Sequence, residues 1–142
     1  MSTKKLQLNI LTPLGVTFDQ EVDQVTVTTS SGEITILVDH IPLITTLVTG
    51  KVMVRNKGEE PQYFAINGGV LEKRQDNKVI ILSSRSESAL DIDVKRAQEA
   101  YEKAQQMIEE ADDTMGMDYS NLQEVMNKEL NRVRLGQKGM RK

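Results

Sequence analysis

The sequence predicts an antiparallel β-sandwich or barrel followed by a hairpin of two helices. From Leu6 to Ser83 apolar residues recur at every second position, which is the periodicity of a strand that buries one face. After Ser88 the spacing of the apolar residues changes to three and four, which is typical of one helix face. The 142 residues, of which 38% are hydrophobic, suffice for one compact domain and an appendage.

The strands are predicted from the turn signals that separate the alternating runs. Clusters rich in Gly, Pro, Asn, Asp and Ser recur at 12–15, 30–32, 56–61, 67–69 and 75–77. Short strands with such frequent turns, and no helical pattern between them, indicate an antiparallel sheet in a sandwich or barrel. Because the aromatic fraction is only 4%, with no Trp, we expect a core of Val, Ile and Leu.

Two helices are predicted in the last third of the chain. The first spans about 91–111, and a break follows at 114–118. Its apolar face carries Val94, Ala97, Tyr101, Ala104, Ile108 and Ala111. Ser120, with Gln123 three places on, forms a capping-box signal for the second helix, and Gly136 is its predicted stop. The apolar face of the second helix carries Leu122, Val125, Met126, Leu130 and Val133.

The apolar face of the first helix is made largely of alanine. Ala97, Ala100, Ala104 and Ala111 lie on this face or beside it. At roughly 0.8 kcal/mol per buried CH₂, such a face contributes much less burial than a leucine face would. We therefore expect a hairpin that is weakly held and able to leave its packed position.

Composition and charge exclude several classes of function. The net charge of -3 argues against nucleic acid as the main ligand. No run approaches the roughly 20 apolar residues that span a bilayer, so association with a membrane is expected only through partners. Because the chain has no cysteine, disulfides, thiolate catalysis and Cys-ligated zinc are excluded. The N-terminal residues resemble neither a secretory nor an import signal.

Catalysis is not expected. His40 is the only histidine, and no nucleophile-elbow motif accompanies it, so a role in a turn or an interface is favoured over a Ser-His-Asp site. The chain also lacks the G-x-x-x-x-G-K-[ST] loop that cradles phosphates.

Charged residues cluster in the hairpin. Five acids without a base lie close together, at Glu109, Glu110, Asp112, Asp113 and Asp118. Their spacing is not that of a calcium loop, so a solvated turn is favoured over a metal site. The following helix ends in cations, at Lys128, Arg132, Arg134, Lys138, Arg141 and Lys142. Cations suit a helix C-terminus and would also suit docking on an acidic protein surface, and both interpretations stay open.

The same cations allow an anion site. Arg96 and Lys103 share a face of the first helix, and Lys128 and Arg132 share a face of the second. In an antiparallel hairpin both pairs would face one cleft. Ion pairs between the helices, with acids such as Glu99, are the favoured alternative.

Five different short motifs follow one another along the chain. They are Leu11-Thr12-Pro13 with Gly15 and Phe18, Ser31–Ile34, His40–Leu43, Gly68–Glu72, and Asp91–Asp93 with Arg96 and Ala97. In order and spacing they resemble the epsilon family of bacterial F-type ATP synthases, and the resemblance covers nearly the whole chain. It implies an antiparallel β-sandwich of about ten strands at 1–86 and a regulatory two-helix hairpin at 87–142.

The resemblance implies a non-catalytic central-stalk subunit that couples proton-driven rotation to ATP synthesis. The sandwich is expected to bind the gamma subunit and the ring of membrane c subunits, with Glu33 and His40 as loop residues at these interfaces. The extended hairpin is expected to inhibit ATP hydrolysis by contacting the beta subunit through Lys128, Arg132 and Arg134, with the alpha subunit as a further partner. The implied location is peripheral, at the cytoplasmic face of the bacterial cell membrane.

The resemblance also implies ATP as a candidate regulatory ligand, although no cofactor is required. The candidate site consists of Glu87, Ile92, Asp93, Arg96, Ala97, Lys103, Lys128 and Arg132. The clearest ATP binders of the family have Arg where this chain has Lys103 and Lys128, and Lys cannot offer phosphate a bidentate fork. Thr35 and Val38 stand where the family usually has Gly and Pro, which changes the approach to His40.

The alternative is a stand-alone β-sandwich adaptor with a coiled-coil tail. An adaptor of this kind would be a dimer, whereas an epsilon subunit would be a monomer that co-purifies with a gamma-like subunit.

Overall fold

The structure is a computed structural model that describes residues 4–110 and 116–140, without the side chains of 116–119, 139 and 140. The strands are β1 (Leu6–Thr12), β2 (Gly15–Val22), β3 (Gln24–Thr29), β4 (Gly32–Leu37), β5 (Leu43–Arg55), β6 (Gln62–Lys73), β7 (Lys78–Leu82) and β8 (Ser86–Ser88). A 3₁₀ turn at Ala89–Asp91 leads into helix α1 (Val94–Glu110) and helix α2 (Gly116–Met140). The chain divides into two compact units, a β unit up to Ser88 and a helical unit from Ala89.

The β unit forms one sheet in the order β2-β1-β7-β6-β5-β3-β4, with β8 paired to β6. Eight strands are present in the described residues, so the expected number of about ten is wrong. One reason is that β5 and β6 run unbroken for 13 and 12 residues. The expectation of a wholly antiparallel sheet is also wrong, because β1 and β7 pair in parallel. Alternation along a strand does not reveal which distant strand lies beside it.

A single core closes the β unit. It is built from side chains of the first seven strands, almost all of them Val, Ile or Leu, as predicted: Leu6, Leu8, Ile10, Phe18, Val22, Val25, Val27, Ile36, Leu47, Val52, Val54, Phe64, Ile66, Leu71, Val79 and Ile81. The two phenylalanines meet edge to face, with ring centroids 5.3 Å apart. At roughly 25 cal/mol per Å² of buried apolar surface, this core is the main stabilising contribution to the unit.

Helix α1 begins at a cap. The Asp93 carboxylate accepts a hydrogen bond of 3.0 Å from the Arg96 backbone N–H, and the Asp93 carbonyl accepts one from Ala97 N–H. This arrangement satisfies backbone donors of the first turn, so the helix starts at Val94 and not at Asp91. Ala97 and Ala104 are buried, as their place on the predicted apolar face requires.

Helix α2 is longer than predicted at both ends. It begins at Gly116, before the expected cap at Ser120, and it continues through Gly136 to Met140. Gly136 is therefore not a stop. A Cβ at this position would lie only 2.5 Å from Cγ2 of Val94, so the glycine allows α2 to approach the start of α1. The other predicted break residues, 114 and 115, lie outside the described residues.

Neither α1 nor the described part of α2 combines the length and the hydropathy of a membrane-spanning helix.

Candidate interaction surfaces

The outer face of the β unit carries an apolar row that crosses its strands. Strand register aligns Val16 with Leu11, Leu11 with Leu82, and Leu82 with Val70. We call these four residues the outer-face row. Directly opposed residues of a sheet point to the same side, so their side chains form one surface. Leu82 is 52% exposed and Leu11 is half-buried.

An open groove of about 360 Å³ adjoins the outer-face row. It is lined by Leu11, Thr12, Pro13, Gly69, Leu82, Ser83 and Ser84. At Gly69 a Cβ would overlap the carbonyl oxygen of Leu82, so only glycine allows this close approach of β6 and β7. Leu14, at the turn between β1 and β2, directly follows Pro13 of the groove lining and is 100% exposed.

Sequence reasoning missed the outer-face row. A signal was present, because the pairs Ile10-Leu11 and Ile81-Leu82 break strict alternation, and in a strand only one residue of each adjacent pair can face the core. Ile10 and Ile81 are fully buried, so Leu11 and Leu82 face outward.

Glu33 lies in strand β4, one residue after its start, and not in a loop as expected. Its carboxylate oxygen is 3.1 Å from the Lys51 ammonium. Thr28 separates the two residues, since Glu33 pairs with Thr28 and the Thr28 hydroxyl donates to the Lys51 carbonyl. The pair is half-exposed, so it contributes roughly 1 kcal/mol or less to stability.

His40 ends a tight turn between β4 and β5, as the prediction of a turn or interface histidine requires. Its N–H donates a hydrogen bond of 3.1 Å to the Leu37 carbonyl, and Asp39 within the turn has a φ of 66°. The His40 ring Nδ1 lies 2.7 Å from the Ile41 carbonyl oxygen. Ile41 is 74% exposed and Leu37 is also exposed, so the turn presents apolar side chains beside the imidazole.

The structure does not bring Glu33 and His40 together. Glu33 lies near the start of β4 and His40 follows its end, and at about 3.3 Å per residue the strand between Glu33 and Leu37 spans about 13 Å. Any partner that contacts both must span that strand.

Two cations of α2, Lys128 and Arg132, pair with an acid of their own helix. The Glu129 carboxylate is 2.8 Å from the Arg132 guanidinium and 3.7 Å from the Lys128 ammonium, and its side chain is only 7% exposed. Both pairs lie within α2, and the ion pairs between helices favoured from the sequence stay a prediction. Arg134 is exposed.

The antiparallel helices place most of the candidate ATP-binding residues toward one end of the hairpin. Gly136 lies against Val94, so Arg132, one turn earlier in α2, is about level with Ala97 of α1. Lys128 lies about two turns before Gly136 in α2, so it is about level with Lys103, which lies about two turns after Val94 in α1.

The candidate ATP-binding residues differ in their exposure to solvent and in their hydrogen-bond partners. Ile92 and Ala97 are buried, Arg96 and Lys103 are exposed, and the Asp93 carboxylate is engaged in the helix cap. Glu87 lies in β8 of the other unit, where it pairs with Ala65. Of the acidic cluster, Asp112 and Asp113 lie outside the described residues.

Comparison with known proteins identifies the family. The model described as ATP synthase, Delta/Epsilon chain, beta-sandwich domain matches residues 5–89. The model described as ATP synthase, Delta/Epsilon chain, long alpha-helix domain matches residues 91–137. The chain belongs to the ATP synthase delta/epsilon family. The two matched segments meet near residue 90, close to the division between the two units of the structure.

Curated relatives with the name ATP synthase epsilon chain match most of this chain. That of Halalkalibacterium halodurans is 41% identical over 106 residues, which are 75% of this chain and 78% of the relative. That of Bacillus thuringiensis is 40% identical over 107 residues, with 75% and 79% covered. These matches confirm the predicted resemblance to bacterial epsilon subunits, which are non-catalytic.

Solved structures share the fold. A chain of the Euglena gracilis mitochondrial ATP synthase aligns with a TM-score of 0.78 at 18% identity, covering 89% of this chain and 78% of that chain. A chain from a structure of the central stalk and c-ring of the Tetrahymena thermophila mitochondrial ATP synthase aligns with a TM-score of 0.62 at 16% identity, covering 97% of this chain and 98% of that chain.

Proposed function

We propose that this chain docks on the gamma subunit of a bacterial F-type ATP synthase through the outer-face row, and rotates with it. The observation that carries the proposal is the row itself, which lies on a domain that matches the family's β-sandwich. Contiguous apolar surface on a folded domain marks a site of protein contact. Leu82 and Leu11 line the groove beside the row, which suits the insertion of apolar side chains of a partner.

A charge placed in the row tests the docking. Leu82→Glu leaves the core intact because Leu82 faces outward, and it puts a carboxylate where the proposal places an apolar contact. We expect the variant to lose at least about tenfold in affinity for purified gamma subunit, in the range of an interface hot spot. Gln62→Glu, at the exposed first residue of β6, adds the same charge and serves as the control. Equal binding by both variants would refute docking through this face.

The turn that carries His40, together with Glu33, is proposed to meet the ring of membrane c subunits. Both positions are accessible, and they lie at the two ends of one strand, so they suit a broad partner such as a ring. Glu33→Ala and His40→Ala should change unfolding free energy by less than about 1 kcal/mol while reducing proton-driven ATP synthesis in reconstituted vesicles. Equal losses of stability and of coupling would show a structural role instead.

The hairpin is proposed to limit ATP hydrolysis by extending toward the alpha and beta subunits. In the folded hairpin Lys128 and Arg132 pair with Glu129 of their own helix and Arg134 is exposed, so extension would carry the three cations together to an acidic surface, which must compete with Glu129 for two of them. Deleting 89–142 should raise hydrolysis by the assembled enzyme. Replacing the three cations with Ala should reproduce much of that rise, and high salt should do the same, because charges screen over about 10 Å at 0.1 M. Identical rates for all chains would remove the inhibitory role.

ATP is proposed as a regulatory ligand at the end of the hairpin that holds Asp93, Arg96 and Arg132. A bound phosphate must compete with Glu129 for Arg132, so binding is expected only at millimolar ATP. Calorimetry on the full chain is the measurement. Arg96→Ala should abolish the heat of binding, and Glu129→Gln, which removes the competing charge, should strengthen it. A Glu129→Gln variant without heat would refute the site.

The assembled enzyme is proposed to work at the cytoplasmic face of a bacterial membrane, which this chain reaches only through its partners. Its curated relatives come from bacteria.

A further inference from the structure

Lys73 at the end of β6 is buried, with 1% of its surface exposed. Its ammonium donates hydrogen bonds of 2.8 Å to the His40 carbonyl and 2.6 Å to the Arg74 carbonyl. No carboxylate of the described residues lies within 4.0 Å of this ammonium. Burying a charge without a counter-ion is costly, so the contacts to the two carbonyls must offset a substantial desolvation penalty.

One of those carbonyls belongs to the turn between β4 and β5. The turn places Asp39 in the left-handed region, with a φ of 66°, where a residue other than Gly carries a cost of roughly 1 kcal/mol. Asn77 holds the same turn from its other side. Its side-chain oxygen accepts from the Asp39 N–H at 2.7 Å, and its side-chain nitrogen donates to the Asp39 carboxylate at 2.9 Å.

We propose that Lys73 and Asn77 are positioning residues that hold this turn in the shape that docks on the partner subunit. Lys73 fixes the carbonyl of the last turn residue, and Asn77 fixes the backbone and side chain of the residue before it. Ile41, which follows the turn, is thereby presented to solvent in one conformation. A loop that is already ordered loses less conformational entropy on binding, so the two residues raise affinity without touching the partner. The inference rests on the proposed contact of this turn with another subunit.

Amide hydrogen exchange of the full chain tests the first half of the inference. The His40 N–H donates to the Leu37 carbonyl, and neither Lys73→Met nor Asn77→Gly removes that acceptor. Both variants should speed exchange at His40 by about 10- to 100-fold, the value expected for losing a hydrogen bond to a charged or well-ordered group. Leu8 N–H, in the core strand β1, should be unchanged, and Lys57→Met at an exposed turn should change neither amide.

Lys73→Met and Asn77→Gly are chosen because both substitutions should leave the chain folded. Met has nearly the length of Lys and is apolar, so the buried position remains filled. Gly at 77 tolerates the φ of 61° that Asn77 adopts, so the backbone conformation is retained. If one variant does not fold, the other still reports on the turn. Unchanged exchange at His40 in a folded variant overturns the positioning role.

Affinity for ATP synthase stripped of its epsilon subunit tests the second half. The apparent affinity should fall in proportion to the fraction of chains whose turn is ordered. In a chain carrying Ile41→Asp, which removes the turn's contact, Lys73→Met should cause no further loss. Faster exchange with unchanged affinity would overturn the positioning role while leaving docking through the outer-face row, which Leu82→Glu tests, unaffected. A loss that persists in the Ile41→Asp chain would show that Lys73 acts elsewhere.

Discussion

The β unit and the helical unit bury different kinds of side chain, although both follow the periodicity of their secondary structure. The β unit closes on branched apolar residues such as Leu8 and Ile81, which are fully buried. From α1 the helical unit buries the small Ala97 and Ala104, and from α2 it buries Val133 and Leu135 together with a carboxylate, Glu129. Each methylene buried contributes about 0.8 kcal/mol, so the interface between the helices gains much less from burial. The difference predicts that the packing of α1 is cheaper to disrupt than the core of the β unit.

The largest effect should come from the core of the β unit. Leu8→Ala removes buried methylenes and leaves a cavity, so it should lower the free energy of unfolding by about 2–5 kcal/mol. Ala104→Gly, the matching change in the hairpin, should cost about 1 kcal/mol. Urea unfolding followed by circular dichroism measures both, with Leu14→Ala as the exposed control. Equal costs for Leu8→Ala and Ala104→Gly would remove the contrast between the units.

Gly136→Ala sharpens the comparison within the hairpin. An exposed Gly in a helix gains about 1 kcal/mol when replaced by Ala, but here the new Cβ would lie 2.5 Å from Val94 Cγ2. We therefore expect a destabilisation of about 1–3 kcal/mol, confined to the helices. Val94→Ala in the same chain should restore much of the loss. Protection of α1 and α2 amides against exchange is the readout, and increased protection in the single variant would contradict the packing.

The cap of α1 should have a smaller effect. Asp93→Ala removes the acceptor of the Arg96 N–H and should cost about 1 kcal/mol of helix stability. Asp93→Ser retains a capping oxygen without charge, so it should keep most of that stability. The pair also separates capping from ligand binding: a loss of ATP heat with Ala but not with Ser would assign Asp93 to the cap alone. Thermal unfolding followed by far-UV circular dichroism, which reports secondary structure, is the measurement.

The smallest effect lies at the edge of the β unit. The Lys57 N–H donates to the Asp23 carboxylate at 2.6 Å and, with the nearby Lys5 ammonium, holds the pKa of Asp23 below its usual range. A carboxyl with a lowered folded pKa adds stability above its unfolded pKa, and that contribution disappears as pH falls through the folded pKa. Asp23→Asn should therefore lower the melting temperature slightly at pH 7 and not at all in strong acid. A difference in melting temperature between Asp23→Asn and the unaltered chain that becomes larger as the pH falls would contradict this assignment.

The sequence predicted the order of the elements, the branched core and the family, because these depend on local periodicity and on short motifs. It also placed His40 in a turn and Ala97 and Ala104 on a buried helix face. The outer-face row could have been found in part from the adjacent apolar pairs. Its extent could not, because the alignment of Leu11 with Leu82 depends on a parallel pairing between strands about 70 residues apart in sequence.

Periodicity by itself determined where strands give way to helices, since a period of two or of 3.6 is written in consecutive residues. Only the tertiary structure decided what certain residues do. Gly136 became a packing contact because Val94 comes against it. Lys73, at an inward position of β6, became a support for the His40 turn because folding brings the His40 carbonyl within hydrogen-bond distance of its ammonium. Each of these roles depends on a neighbour brought close by folding, and strand or helix spacing carries no information about that neighbour.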